Sequence, residues 1–305
     1  MRKYSLMFLV GLLWSCNDEP LLPVDDPPQD DDPTTYVIPV VVHVLHNGEA
    51  IGEGANLSVD RIERQIGILN EDFRRKTGTR GENNHPDSDD ARIEFVLAKQ
   101  DPDGNPSNGI TRTLADLNAI PEEVPKREVD LMGYFRFWNS ASYINIWTAP
   151  YDEDLANVHL GSATGPDTDL PGNHLFAKPI EGGVEGIVIN HWHFGETTLV
   201  DRHNLGRTLT HEMGHYLGLL HLWGGRSCEH NDFCEDTPAV EDPVTSNTSY
   251  AGCQGEEVMI ANYMNWTPDV VMNIFTKNQI SRMRYVLENS EQRTSLLTSK
   301  GLQTP

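Results

Sequence analysis

The run His211-Glu212-Met213-Gly214-His215-Tyr216-Leu217-Gly218-Leu219-Leu220-His221 leaves this chain few choices. On an α-helix, residues four apart share a face, so His211 and His215 present two imidazoles to one point. Gly218 can take a left-handed backbone that a side chain would resist, which ends the helix and turns the chain back. His221 then arrives as a third nitrogen. A fold for this chain must therefore supply a helix over 204–218, a sharp turn after it and open space before the three rings.

Three neutral nitrogens with a fourth position open are the donor set of a catalytic zinc; a structural zinc would be closed by a fourth protein ligand. Glu212 directly follows the first ligand. A carboxylate there can take a proton from a water that attacks a carbonyl, and pass it to a departing amine. The expectation is zinc-dependent hydrolysis of peptide bonds, with Glu212 as general base. The competing reading is a zinc-bound, non-catalytic surface binding protein such as an adhesin; the presence of Glu212 weighs against it.

Around this motif the texture is α/β. Val37 to Leu45, Ala91 to Ala98, Tyr143 to Trp147 and Gly186 to Asn190 read as short buried strands. Ser58 to Arg75 has apolar residues at helical spacing, with Ser58 as N-cap, and Phe275 to Leu287 is an amphipathic helix. Asp101 to Pro106 is a turn, and 161–172 and most of 224–262 read as loop. Strands and helices alternate in the first half, and the second half is mostly irregular. This predicts an α/β lobe followed by a loop-rich lobe, with the histidine helix between them.

The long zinc motif resembles that of the metzincin metallopeptidases. Asn262-Tyr263-Met264-Asn265-Trp266, followed by Phe275, Thr276 and Gln279, resembles the pappalysin family (M43), especially its cytophagalysin and ulilysin-like branch. Ile38 to Val44, Leu69-Asn70-Glu71-Asp72-Phe73, Gly109-Ile110-Thr111-Arg112 and Asp236-Thr237-Pro238 resemble it too. The resemblance implies a metzincin fold: an upper lobe (36–218) with a twisted mixed sheet and helices, and an irregular lower lobe (219–290) with a C-terminal helix. Residues 291–305 are then a tail. It implies His211, His215 and His221 as zinc ligands, Glu212 as general base, and Met264 as the methionine beneath the histidines. Protein or peptide substrates would lie along a sheet edge.

Finer expectations follow from the same resemblance. Relatives carry tyrosine where Trp266 stands, and an indole N–H at a different reach is not expected to replace its hydroxyl. Asp269 lies in the segment that walls the S1′ pocket, where a buried acid would favour Lys or Arg at P1′; the alternative is a solvated loop aspartate. Asp232, Asp236, Thr237 and Glu241 form an oxygen-rich stretch where relatives bind calcium, and such oxygens suit Ca²⁺; the alternative is an acidic loop.

The amino terminus reads as an address. Arg2 and Lys3 precede an apolar stretch too short to span a bilayer, which runs into Leu13-Trp14-Ser15-Cys16. This resembles a lipoprotein signal (1–15) with Cys16 lipidated, which would anchor the protein to a membrane. Residues 17–33 hold seven acids and five prolines and cannot bury apolar area, so 16–35 is an extended tether. The expected location is the cell envelope, as an outer-membrane lipoprotein facing periplasm or surface, or the exterior. A net charge of −23 argues against non-specific nucleic-acid binding. A monomer is expected.

Setting Cys16 aside leaves Cys228, Cys234 and Cys253, an odd number in an oxidising compartment. One disulfide is expected, Cys228–Cys253 or Cys234–Cys253, with no ground for choosing. His43 sits in a strand and reads as a packed, hydrogen-bonded residue. His46, His191 and His193 are left without a role.

Overall fold

The computed structural model describes residues 33–115, 135–155, 158–178, 184–229 and 231–305. The signal stretch, Cys16 and nearly all of the acidic tether lie outside the described residues.

A six-stranded sheet carries the upper lobe. Its centre is β1 (Tyr36–His46), whose residues from Ile38 to Leu45 are all buried. β4 (Ile144–Ala149) pairs parallel with one edge of β1. The other edge is shared by β2 (Ile93–Leu97), along Tyr36–Val40, and β3 (Ile110–Leu114), along Val42–His46, both parallel. Beyond β4 lies β6 (Ile187–Asn190), also parallel, and β5 (Gly161–Ala163) closes that side antiparallel to β6. β3 falls where the sequence carried no strand signal, and β5 lies within 161–172, expected to be loop. Both are short and carry little apolar patterning, so sheet pairing rather than propensity makes them strands.

Parallel strands covered on both faces need apolar residues on both sides of the pleat. In β1, Ile38, Val40, Val42 and Val44 face one core, and Val41 and Leu45 face two smaller clusters that include Trp138 and Trp147. The first core is filled by α1 (Val59–Phe73), through Ile62, Ile66, Leu69 and Phe73, and by α2 (Arg207–Tyr216), through Leu209, Met213 and Tyr216. Ser58 caps α1 as expected, its hydroxyl accepting from the Arg61 N–H. α3 (Lys277–Asn289) starts with a reciprocal capping box between Thr276 and Gln279.

Residues 291–305 are more than a tail. They form α4 (Glu291–Thr294) and two 3-10 turns, with Arg293, Leu296 and Gly301 buried. Arg293 pairs with Glu185, lies over the Tyr216 ring at 3.7 Å and donates to the Tyr216 carbonyl. A buried cation thus sits at the end of α2, where the helix dipole is negative. Cys228 and Cys253 are joined, and Cys234 is a buried free thiol.

Candidate metal and catalytic centre

α2 begins at Gly206 and has no side-chain cap of its own. Its N-terminal donors are met from far along the chain: Asp269 Oδ2 accepts from the Leu205 and Arg207 N–H groups at 2.8 and 3.1 Å. A carboxylate at this end suits the helix dipole. The helix is tied to α1 by Asp72, which takes Arg207 at 3.0 Å and the Thr210 hydroxyl at 2.7 Å.

The helix ends one residue past Tyr216, at Leu217. Gly218 has φ +93°; its N–H donates to the His215 carbonyl and the Leu219 N–H to that of Gly214, a Schellman closure. The Gly218 carbonyl is held by Arg282 at 2.6 Å. This turn delivers His221, which stacks on Trp223 with centroids 4.3 Å apart.

The Nε2 atoms of the three histidines form a triangle: 3.1 Å from His211 to His215, 3.1 Å from His215 to His221, and 3.2 Å from His211 to His221. The Nδ1 of His211 donates to the Tyr263 carbonyl at 2.7 Å, and that of His215 to the Leu219 carbonyl at 2.8 Å. With the proton on Nδ1, the Nε2 lone pair faces the centre. Burial, with the neighbouring imidazoles, pushes His211 down to about 3; burial pushes His215 down to about 4, and His221 is lowered by burial and then by the other two rings. Three neutral nitrogens whose lone pairs meet repel one another unless a cation lies between them. The donor set therefore fits zinc, and it is the one group of three or more His, Cys, Asp or Glu side chains among the described residues placed to hold a metal.

Glu212 is largely buried and lines, with His211, a cavity of about 380 Å³ that Gly161 of β5, Trp266 and Asp269 also wall. Met264 is fully buried beneath the helix. A Cβ on Gly214 would stand 2.5 Å from the Met264 sulfur, so the glycine is what lets the methionine approach. The Met264 N–H donates to Asn262, whose amide is held by Gln279 at 2.8 Å. The capping residue of α3 thus also fixes the turn carrying Met264.

The residues of the finer expectations lie as follows. The Trp266 indole Nε1 stands 3.2 Å from His221 Nε2, with the ring edge-on to His221. Asp269 is not a solvated loop residue, being 2% exposed. In the oxygen-rich stretch Asp232 takes the Thr237 hydroxyl at 2.6 Å, the Thr237 hydroxyl also meets the Cys234 carbonyl, and Asp236 Oδ2 accepts from the Asn278 N–H at 2.8 Å. The Oδ1 of Asp236 is buried without a hydrogen-bond partner, and burial pushes the Asp232 carboxyl up to about 7.

His43 is a packed residue as read, bonded to Thr111 at 2.7 Å and Asn145 at 2.9 Å and stacked on Trp147. His191 and His193 bond the carbonyls of Ala149 and His203 and stand outside the triad. Asp72, Arg282, Arg293 and Asn262 carry no local signal of their part. Asp72 and Asn262 lie in the blocks quoted for the family resemblance, which is the one clue to them.

Comparison with known proteins agrees with this geometry. The family described as pregnancy-associated plasma protein-A, peptidase family M43, matches residues 133–288. An extracellular metalloprotease of Colletotrichum graminicola is 38% identical over 258 residues, 82% of this chain and 75% of that protein. One from Arthroderma otae is 44% identical over 92 residues, a match spanning only 33% of its length. Mature mirolysin of Tannerella forsythia, solved with a cleaved peptide, is similar at 34% identity and a TM-score of 0.70, covering 86% of this chain and 96% of that one. A promirolysin mutant from the same organism gives 32% and 0.71 over 90% and 88%. With the fold, the helix-borne histidines and the sequence match in agreement, the chain belongs to the M43 metzincin metallopeptidase family.

Proposed function

We propose that this chain is a secreted zinc-dependent endopeptidase that cuts protein substrates within extended segments and prefers Lys or Arg at P1′. The observation that carries the reading is the convergence of three Nε2 atoms, one of them from His211, which lines one cavity with Glu212. Zinc held by His211, His215 and His221 would polarise the scissile carbonyl and make water nucleophilic near neutral pH. Glu212 takes the proton of the attacking water and gives it to the departing amine. Met264, packed against Gly214, would give the histidine helix an adaptable apolar floor. β5 ends the sheet beside this cavity, and its free edge suits an extended peptide added by backbone hydrogen bonds. Asp269, buried in the cavity wall, is the acid that would meet a basic P1′ side chain.

The protein is proposed to act outside the cytoplasm, tethered through a lipid on Cys16. The disulfide fits an oxidising compartment, and the relatives named extracellular metalloproteases fit export. Labelling with a fatty-acid analogue, compared with Cys16→Ser, tests the anchor.

The activity is tested by digesting a protein mixture and sequencing the new termini. Cleavage should stop with a zinc chelator and with Glu212→Ala. Zinc bound stoichiometrically without cleavage would turn the reading to a binding protein.

A further inference from the structure

β5 runs past Glu212 with no side chain of its own at the point of closest approach. That point is Gly161, the first residue of the strand. Its backbone is not left-handed, and a glycine weakens a strand relative to a residue with a side chain. The reason for it is space. A Cβ here would stand 3.0 Å from Cγ of Glu212, 2.9 Å from the Val188 carbonyl oxygen and 2.9 Å from Cδ1 of Ile189. Strand and helix are both fixed. β5 is pinned towards β6 at both ends: the Asn190 N–H donates to the Leu160 carbonyl at 2.9 Å, the Asn190 side-chain amide to the His159 carbonyl at 2.9 Å, and the Thr164 N–H to the Gly186 carbonyl at 3.0 Å. α2 is held by Asp72, Asp269 and Arg282. Ala163, two residues on and so on the same face of the strand, lies in the core that Leu209 and Met213 of α2 help to fill. Small residues on this face let the helix lie close under the sheet edge, and at Gly161 the space is taken by the stem of Glu212.

We propose that Gly161 is a positioning residue: its bare backbone packs the Glu212 stem against the sheet edge and so sets where the carboxylate stands in the cavity that both residues line. This deepens the proposed function and rests on its assignment of Glu212 as general base. A catalytic group works when packing locks it in its productive geometry. The edge of the same strand is where the substrate backbone is proposed to pair, so base and peptide are registered to one short segment. A methyl on residue 161 would push Cγ of Glu212 back by about 0.5–1 Å to reach ordinary contact. A misplacement of about 1 Å can cost on the order of a hundredfold in rate.

The test uses the full, zinc-loaded chain, one cleavable peptide, and the wild type, Gly161→Ala, Glu212→Ala and the double variant. Gly161→Ala should lower kcat on the order of ten- to a hundredfold, change KM by less than about twofold and keep its stoichiometric zinc. Calorimetry of the same peptide with Glu212→Ala and with the double variant should give affinities within about twofold of each other. Alanine at 212 removes Cγ, so Gly161→Ala should lower Tm less in that background than in the wild type. A wild-type kcat in Gly161→Ala would overturn the proposal. So would a loss of peptide affinity in the double variant, which would assign the glycine to the substrate edge. If Gly161→Ala does not fold, the double variant decides. Recovered folding supports the contact with Glu212; failure in both gives the glycine to Val188 and Ile189 and overturns the proposal. If Glu212→Ala still cleaves, the base assignment falls and this inference with it. If Glu212→Ala stops cleavage while Gly161→Ala runs at the wild-type rate, only the part given to Gly161 falls.

Discussion

Gly218 offers the sharpest test of how this site is built. Replacing it with alanine perturbs two things at once. The backbone at φ +93° is a conformation that an L side chain adopts at a cost of about 1–2 kcal/mol. The new methyl would also stand 2.7 Å from Cγ2 of Val286, which is fully buried in α3. Overpacking of this kind costs about 1–3 kcal/mol. Together Gly218→Ala should lose about 2–5 kcal/mol, a fall in Tm of roughly 4–20 °C for a domain of this size. The second mutation of a cycle, Val286→Ala, opens space for the methyl but cannot change the sign of φ. The double variant should therefore recover the steric part, a coupling of about 1–3 kcal/mol, and keep the backbone part. Zinc content should fall in Gly218→Ala, because this turn is what delivers His221. Thermal unfolding and metal analysis of the four proteins read both effects. An undiminished Tm, or complete rescue by Val286→Ala, would refute the claim that the left-handed backbone is required here.

Trp266 brings an N–H to the rim of the three-nitrogen centre, so Trp266→Phe should lower kcat by about ten- to a hundredfold with little change in Tm; equal kcat values would show that the donor is idle. Burial holds His43 at about 4, below its ordinary 6.5, so its contribution to stability is complete above 6.5 and is lost as the pH falls towards 4. At 1.36 kcal/mol per unit that loss is about 3 kcal/mol, and it should vanish from the acid limb of a His43→Gln stability curve. Opening the Cys228–Cys253 link frees a loop of sequence separation 25 and should cost about 3.5 kcal/mol, read by denaturant unfolding of Cys228→Ser; Cys234→Ser should leave the disulfide intact by mass analysis.

Much of the centre is written locally. His211, Glu212 and His215 need only a helix to share a face, and Gly218 needs only its missing Cβ to turn the chain. The apolar runs of β1 and β4 and the capped start of α1 are likewise short-range signals, readable because burial on both faces of a parallel sheet leaves continuous β-branched sequence. The edge strand β5 was not readable: Gly161-Ser162-Ala163 has no pattern of its own and is a strand because β6 offers it partners.

The chain order alone therefore determined the candidate chemistry, since the three histidines and the acid proposed as proton acceptor sit within eleven consecutive residues. What only the tertiary structure decided is how that segment is held and what it faces. Asp269, 62 residues from Arg207, caps the helix start, Arg293 closes its end, and His203 stands against Asp269. The three cysteines were equivalent until folding put two of them side by side. The physical reason is range: helix geometry acts over four residues, whereas capping, charge pairing and cavity walls depend on distances in space that sequence separation does not encode.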